Sequence, residues 1–213
     1  MSTLLLRFAG PMQSWGSDSR FDVRKTNREP TKSGVIGFMA SALGMRRDEP
    51  LDRLDALSFG LRVDREGVLL CDLHTAKNEK TSYLTRRYYL CDAVFLVGLY
   101  SPNDELMRTL QHAVENPQHP LFLGRRSCPP EGRVCLGLRD MPLLDALKGE
   151  PCLVNKTQNK SRIVFDDPLG KARIMDLPES FSPMNRQYTY RPVSEKWISL
   201  AEQAEHDPMQ ELR

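Results

Sequence analysis

The amino-acid sequence predicts an α+β protein with a ferredoxin-like β-α-β-β-α-β order of elements. Three observations predict it: short apolar runs bounded by turn residues, two stretches with helical periodicity, and a basic segment between two strands. With 213 residues the chain can bury a core, and its 40% hydrophobic and 27% charged content is ordinary for a globular protein. We expect one domain over residues 1–149 and a small β-rich subdomain with an acidic tail over residues 150–213.

The first strand and the first helix are predicted near the N-terminus. Leu4–Phe8 is a short apolar run that ends at a Gly-Pro pair, which predicts a buried strand. Ser33–Gly44 predicts a helix that its first residue caps and its last residue ends in a left-handed turn. Glycine inside a helix is costly, so Gly34 and Gly37 indicate close packing or a ligand near the helix start, where free N–H groups attract anions.

The next elements follow from alternation and turn residues. Leu51–Leu57 predicts a short helix, and Phe59–Val63 alternates like a half-buried strand. Gly67 is expected to close a turn with positive φ, from which Val68–His74 returns as the hairpin partner. Thr75–Arg87 is too polar and basic for a core element, so it predicts a protrusion, here called the thumb.

Three further elements complete the predicted domain. Tyr88–Tyr100 predicts one long strand. A Ser-Pro-Asn-Asp run opens an amphipathic helix, with Ser101 as its predicted cap, and Pro117 ends it. Val134–Leu138 predicts the last strand.

The composition changes after residue 141 toward short elements. Pro142–Lys148 predicts a short helix. Residues 150–155, 162–166 and 171–177 are strand candidates, and Asp166–Gly170 predicts a hairpin turn between the last two. The tail from Leu200 onward is acidic.

Positive charge is concentrated in a few segments, although the formal net charge is only +2. Residues 1–47 hold eight Lys or Arg against three acidic residues, and the thumb holds four against one. Such segments indicate a polyanionic partner on part of the surface, whereas a merely solvated surface is the alternative. The basic segments are predicted loops, which favours binding.

Several function classes have no sequence support. No apolar run approaches the roughly 20 residues that cross a bilayer, and the start lacks a signal-peptide pattern, so we expect the cytoplasm. The five cysteines include no CxxC pair and the four histidines form no ligand cluster, so neither a metal nor another cofactor is expected. Serine-nucleophile motifs, dinucleotide fingerprints and paired catalytic carboxylates are also missing.

Two groups of residues suggest contacts with nucleic acid. In Leu123–Cys128 a glycine precedes two arginines and a serine, a combination suited to phosphate oxygens, although it lacks the spacing of a Walker loop. The amide of Gln13 is suited to a base edge or a 2′-hydroxyl, and Trp15 is expected to be a buried anchor. Arg86 and Arg87 on the thumb are suited to stacking on a base or holding a phosphate.

The thumb also permits a catalytic alternative. A metal-independent ribonuclease needs one group to take the 2′-hydroxyl proton and another to protonate the leaving oxygen. His74 with Tyr83, Lys77 or Lys80 has the necessary chemistry, but no spacing requires catalysis. A scaffold that contacts only protein is a further alternative.

Five blocks of sequence resemble one known family. They are RFAGPMQSWG at 7–16, PTKSGVIGF at 30–38, LGMRRD at 43–48, YLCDAVF at 89–95 and LGRRSCP at 123–129. In this order they resemble the CasD family, the subunit of the type I-E CRISPR Cascade complex that caps the 5′ end of the guide RNA. The resemblance covers most of residues 4–129 and fades after 130.

The resemblance implies a fold, partners and a role. The fold is the CRISPR (RAMP) variant of the ferredoxin-like domain, with a projecting thumb and a glycine-rich loop. The partners are the 5′ handle of the guide RNA, the repeated backbone subunits and a large subunit, with target DNA reached only through the complex. Another subunit of that complex cuts RNA, so this chain is expected to be non-catalytic.

The residues expected to contact RNA are basic, polar or glycine residues of these blocks, their connections and the thumb. They are Gln13, Trp15, Gly16, Arg20, Arg24, Thr31, Lys32, Ser33, Arg46, His74, Lys77, Arg86, Arg87, Gly124, Arg125, Arg126 and Ser127. We expect these distant segments to converge on one groove.

Overall fold

The computed structural model describes residues 1–16, 22–77, 81–155 and 160–199. Its elements, in chain order, are β1 (Ser2–Ala9), β2 (Met12–Gln13), β3 (Val23–Arg24), α1 (Lys32–Ala42), α2 (Asp52–Asp55), β4 (Ser58–Arg65), β5 (Val68–Lys77), β6 (Ser82–Cys91), β7 (Val94–Ser101), α3 (Asp104–Glu115), β8 (Cys135–Arg139), α4 (Leu143–Gly149), β9 (Lys160–Asp166), β10 (Ala172–Ser180) and β11 (Gln187–Ser199). The α+β class is confirmed.

Seven strands form one antiparallel sheet in the order β10-β11-β9-β4-β7-β1-β8. Because side chains alternate along a strand, Leu4 and Leu6 of β1 face one side and Leu5 faces the other. The first side packs against α1 and α3 in the larger core, and the second packs against α4 in a smaller one. The sheet is therefore covered on both faces at its centre.

The β5–β6 hairpin belongs to a second sheet with β6 as its central strand. β5 pairs with one edge of β6, while the short β2 and the parallel β3 pair with the other. The predicted return of Val68–His74 along the preceding strand is wrong, because β7 and β9 occupy both edges of β4. The thumb predicted at Thr75–Arg87 lies on the outer part of this hairpin, whose residues 78–80 are outside the described ranges.

Two boundaries near this hairpin differ from expectation. Gly67 does not adopt positive φ, but a Cβ there would lie 2.6 Å from Leu90 Cγ, so close packing requires the glycine. The single long strand predicted at Tyr88–Tyr100 is wrong, because the backbone of Asp92 turns to φ 57° and separates β6 from β7.

The helix caps are shifted from the predicted residues. Thr31, not Ser33, caps α1, since its hydroxyl oxygen accepts from the Gly34 backbone N–H at 3.1 Å. The left-handed turn at Gly44 is confirmed, with φ +76°. Likewise Asn103, not Ser101, caps α3.

The C-terminal strands extend the main sheet through β9, which pairs with β4. The predicted turn at Asp166–Gly170 does not join two paired strands: β9 and β10 each pair with β11, a 13-residue strand that the sequence reading missed. Residues 150–155 form no strand. Instead, carbonyls of Glu150 and Pro151 accept from the guanidinium of the buried Arg62, which also pairs with Asp64.

Within the described ranges, no helix is both long and apolar enough to span a membrane. The proposed boundary near residue 149 stays a prediction.

Candidate nucleic-acid interface

A groove of about 1380 Å³ is lined by segments far apart in the sequence. Nine of the seventeen predicted residues line it: Trp15, Gly16, Arg24, Thr31, Ser33, Arg46, Gly124, Arg125 and Arg126. Its described lining holds six arginines against one carboxylate, Asp48. The groove is therefore strongly cationic, although the whole chain is almost neutral.

The floor of the groove is built on Trp15, the buried anchor that the sequence suggested. Its ring is 1% exposed and stacks on Phe8 with centroids 5.5 Å apart, while its edge lies against Gly34 of α1. A Cβ at Gly34 would lie 2.9 Å from that ring, so close packing explains this helix glycine.

Gln13 supports this floor and does not reach the groove. Its amide nitrogen donates to the Ala93 carbonyl at 2.8 Å, and its amide oxygen accepts from Trp15 Nε1 at 3.0 Å. The side chain is fully buried, which is at odds with the expectation that it reads a base or a 2′-hydroxyl.

The start of α1 is occupied by the protein's own charges. Asp176 Oδ2 accepts from the Lys32 backbone N–H at 2.8 Å, and Lys32 Nζ pairs with Asp166 at 2.9 Å. Arg191 bridges both carboxylates. Lys32 is 5% exposed, so this network holds the C-terminal strands on α1 and leaves neither the lysine nor that N–H for an RNA phosphate.

The glycine-rich loop closes one side of the groove by packing on the backbone next to Trp15. Gly124 has φ +86°, and a Cβ on it would lie 1.8 Å from the Ser14 carbonyl oxygen, so glycine is required. Ser14 donates its N–H to the Leu123 carbonyl at 3.0 Å, which fixes the loop in place. The buried Cys128 anchors the end of the loop, and burial raises the pKa of its thiol.

The two loop arginines have different environments. Arg125 is half-buried: its Nη2 donates to the carbonyls of Arg24 and Lys25, and its guanidinium lies 4.9 Å from the centre of the Tyr89 ring. Arg126 is exposed and lines the groove. Ser127 is exposed outside the lining, with its hydroxyl 3.8 Å from Cys128 Sγ.

Arg46 and Arg47 follow α1 and are exposed at the groove. Arg46 Nε lies 3.2 Å from Asp48 Oδ1. The backbone N–H of Asp48, together with Arg46, holds the pKa of that carboxyl below its ordinary value. This ion pair is open to solvent and leaves most donors of Arg46 unused.

No described residue of the hairpin lines the groove, but β3 beside its base does. Arg24 of β3 lines the groove and lies opposite Arg87 of β6 in the parallel register, whereas Arg87 itself is not part of the lining. Arg86 is exposed and does not line the groove. His74 and Lys77 lie farther along the exposed β5, where His74 Nε2 is 3.4 Å from Asp72 Oδ2. Arg20 lies outside the described residues.

The sequence reading missed part of the groove wall. The missed residues include Arg47, His119, Phe181, Arg186 and Tyr188. Arg47 stands beside a predicted residue in the same basic pair, so the charge run was a usable signal. His119 lies in the connection after α3. Phe181, Arg186 and Tyr188 depend on the placement of β10 and β11 beside α1, which the missed strand β11 concealed.

Chemically, the lining offers cationic and hydroxyl donors for an extended anion. Among the described residues, no group of three or more His, Cys, Asp or Glu side chains is placed to hold a metal ion. Together, the antiparallel sheet, the projecting hairpin and the cationic groove define an α+β protein with a surface suited to a polyanion.

Comparisons with known proteins identify the family. The family model described as CRISPR-associated protein (Cas_Cas5) matches residues 3–194. The Cascade subunit CasD of Escherichia coli (strain K12) is 38% identical over 159 residues, which are 64% of this chain and 70% of that protein. The chain therefore belongs to the Cas5 family of CRISPR-associated proteins and groups with its CasD members.

Two solved structures are similar over almost the whole chain. One is a chain of a CRISPR RNA-guided surveillance complex, with a TM-score of 0.80 and 32% identity over 93% of this chain and 90% of that one. The other is described as the crystal structure of a Cas protein, with a TM-score of 0.77 and 40% identity over 92% of this chain and 95% of that one.

Proposed function

We propose that this chain is a non-catalytic, RNA-binding subunit of a CRISPR surveillance complex. It caps the 5′ handle of the guide RNA and holds it bent in the cationic groove. The single observation that carries the proposal is the convergence of six arginines from separate segments on one groove floored by Trp15. The similarity to a chain of an RNA-guided surveillance complex supports it.

The groove suits RNA through its phosphates more than its bases. Arginine donors dominate the lining, and such contacts give affinity with little sequence information. Tyr188 and His119 add aromatic surface on which an unstacked base can lie. Gln13 and Lys32 act in this account as internal supports of the groove.

The hairpin is proposed to link the chain to a neighbouring protein subunit. Its exposed apolar side chains are Val68, Leu69, Leu70, Leu73, Tyr83 and Leu84. So large an apolar surface on an edge strand is typical of a protein-binding site. The expected neighbours are a repeated backbone subunit and the large subunit, and target DNA is reached only through the assembled complex.

We also propose how the chain is divided. The order β4-β7-β1-β8, with α1 and α3 on one face, supports a ferredoxin-like core over residues 1–149. Residues 150–213 are proposed to be a small β-rich subdomain with an acidic tail. The proposed place of action is the cytoplasm.

A binding titration tests the proposal. Arg46→Glu combined with Arg126→Glu changes two exposed groove residues from different segments, so folding is expected to be intact. Affinity for guide RNA should fall, and the dependence of log K on log salt should become shallower by roughly 0.7 per lost phosphate contact. The matched control is Arg53→Glu with Arg108→Glu, two exposed arginines outside the groove lining. Equal behaviour of the two double variants would contradict the proposal.

The ribonuclease alternative keeps one observation in its favour. His74 and Tyr83 lie on the same face of the hairpin, and Asp72 is close enough to orient the imidazole. Incubating the purified chain with repeat RNA in EDTA tests it. Cleavage that His74→Ala abolishes would favour the enzyme, whereas intact RNA would eliminate it.

A further inference from the structure

One wall of the groove, here called the C-terminal wall, consists of Phe181, Arg186 and Tyr188 at the connection between β10 and β11. It differs from the glycine-rich loop, because two of its three side chains are aromatic and only one is a cation. Such a set of side chains can hold a phosphate and an unstacked base of one strand. What the wall contributes to binding depends on how it is held beside the rest of the groove.

The C-terminal wall is attached to α1 at two points. Asp176 of β10 accepts from the backbone N–H of Lys32, the first residue of α1, at 2.8 Å. Farther along the helix, a Cβ on Gly37 would lie 3.7 Å from Phe181 Cζ, so the ring packs on the helix backbone. The two points are five residues apart, which is about 7.5 Å along the helix axis. Because apolar contact is not directional, the charged contact fixes where the wall lies along the helix.

A β-bulge aims Asp176 at the start of the helix. Met175 pairs with Tyr190 and Leu177 pairs with Thr189, so Asp176 is the additional residue at a shift in register between β10 and β11. Bulges commonly redirect a side chain in this way. The backbone of β10 is therefore irregular at the residue that contacts α1.

Arg191 completes the attachment from β11. Its Nε and Nη2 donate to the two carboxylate oxygens of Asp176 at 2.6 and 3.1 Å, and its Nη1 donates to Asp166 at 2.6 Å. Asp176 is 2% exposed and Arg191 is 5% exposed. The strands before and after the C-terminal wall are thus held at the same helix start by one buried ion pair.

We propose that Asp176 is a positioning residue for RNA binding. It does not line the groove, but it holds the C-terminal wall on α1 so that Arg186 and Tyr188 face the bound strand. The inference rests on the proposed function. It adds that the contacts of this wall, unlike those of the glycine-rich loop, depend on one buried carboxylate.

The chain contains a second buried carboxylate that provides a matched control. Asp64 accepts from Nε and Nη2 of Arg62 at 2.7 and 2.9 Å, and from the backbone N–H of Leu153 at 2.8 Å. Its partners are of the same kinds as those of Asp176, and it is also buried, but none of these three residues lines the groove. Asp64→Asn and Asp176→Asn should therefore both lower the free energy of unfolding, because each breaks a buried ion pair.

The experiment is a double-mutant cycle on the full chain, with a synthetic guide RNA that carries the repeat-derived 5′ handle. Dissociation constants are measured under conditions in which urea denaturation shows each variant to be folded. Tyr188→Leu keeps an apolar side chain without the aromatic face and should weaken binding roughly tenfold, as for the loss of one stacked base. In the Asp176→Asn background, which already binds more weakly, the same change should cost little or nothing further. Arg126→Gln should cost the same factor in both backgrounds.

Two further variants separate positioning from stability. Asp64→Asn should leave both the RNA affinity and the cost of Tyr188→Leu unchanged. If Asp176→Asn folds too poorly for titration, Arg191→Lys replaces it, since it keeps a cation beside the carboxylates but loses the paired donors to Asp176.

Four results would overturn the positioning role. They are an unchanged affinity of Asp176→Asn, an equal cost of Tyr188→Leu in both backgrounds, an equal coupling with Arg126→Gln, and an equal loss of affinity in Asp64→Asn. Each of them leaves RNA binding by the unaltered chain, and so the proposed function, intact. Failure of the unaltered chain to bind the guide RNA would overturn the proposed function and the positioning role with it.

Discussion

At the scale of single residues, Gly124 controls how the arginine loop sits on the groove. Its positive φ and its contact with Ser14 leave no room for a side chain. Arg125 follows directly, and its hydrogen bonds to Arg24 and Lys25 require the loop to be in place. A single backbone position thus links the stability of the loop to the placement of a cation.

Gly124→Ala is expected to lower the free energy of unfolding by about 3 kcal/mol, because backbone strain and a steric clash add. RNA affinity should fall as well, since the loop must move. Urea denaturation and a binding titration measure the two effects. Gly132→Ala is the control: it has φ +66°, but the nearest atom to its Cβ is the end of the Arg7 side chain at 3.2 Å. Losses of stability that are equal at the two sites would contradict this role.

Asp55 gives a pH-dependent prediction. Burial, reinforced by Asp52, raises the pKa of Asp55, and its Oδ1 has no partner among the described residues. The folded state therefore binds this proton more tightly than the unfolded state, so the ionised carboxylate disfavours folding above its pKa and not below it. Asp55→Asn should raise stability at pH 7 by roughly 0.5 kcal/mol after allowance for solvent screening.

This gain should shrink as the pH falls toward 3, because the native carboxyl is then neutral as well. Thermal unfolding over that pH range measures it. Asp52→Asn, at an exposed position in the same short helix, should give a smaller gain at pH 7, because it removes the repulsion between the two carboxylates but leaves the buried charge of Asp55. A stabilisation that does not change with pH would show that charge is not the cause.

At the scale of elements, the hairpin has two separate roles. β3, which pairs with its base, lines the groove, and the hairpin itself presents exposed apolar side chains. Leu69, Leu73 and Leu84 share one face, because side chains alternate along each strand and Leu84 pairs directly with Thr75, which is on the same face as Leu69 and Leu73. Their exposed fractions of 42%, 59% and 58% show that the described residues leave this face largely uncovered.

Leu73→Ser combined with Leu84→Ser should therefore leave folding almost unchanged and weaken assembly into the complex about tenfold. Co-purification with the other subunits, at a fixed amount of guide RNA, measures the loss. Leu169→Ser, at a 91% exposed position in the turn after β9, is the control. Normal assembly of the double variant would argue against a docking role for the hairpin.

The sequence predicted most elements but not all of their pairings. Apolar periodicity located β1, α1, β4, α3 and β8, since burial of one face leaves a local pattern. The pairing of β5 with β6 depends on which edges of β4 are already occupied, and no local pattern records that. β11 was missed because its side chains alternate only partly and much of the strand is exposed.

At the scale of the whole molecule, the groove exists because the sheet brings distant segments together. The loops after β1, after α1 and after α3 meet the connection between β10 and β11. A nearly neutral chain in this way gathers six arginines on one surface. The sequence predicted this convergence from charge runs and motif order, and nine of the predicted residues do line the groove.

Some predicted residues do not line the groove, and the structure gives the physical reason. Gln13 and Lys32 lie in conspicuous motifs, yet one positions Trp15 and the other neutralises Asp166. Residue type and position in a motif do not distinguish a ligand contact from an internal partner; burial does. Arg186 and Tyr188 line the groove only because the C-terminal strands lie beside α1, which the sequence did not predict.

Photocrosslinking of guide RNA to the assembled complex, with adducts mapped to residues by mass spectrometry, tests the central claim most directly. The account predicts that adducts on this chain fall in the groove segments, at residues 15–16, 24, 45–48, 119–126 and 186–188. Adducts confined to other surfaces, such as the exposed faces of α3 and α4, with the groove unlabelled, would contradict it.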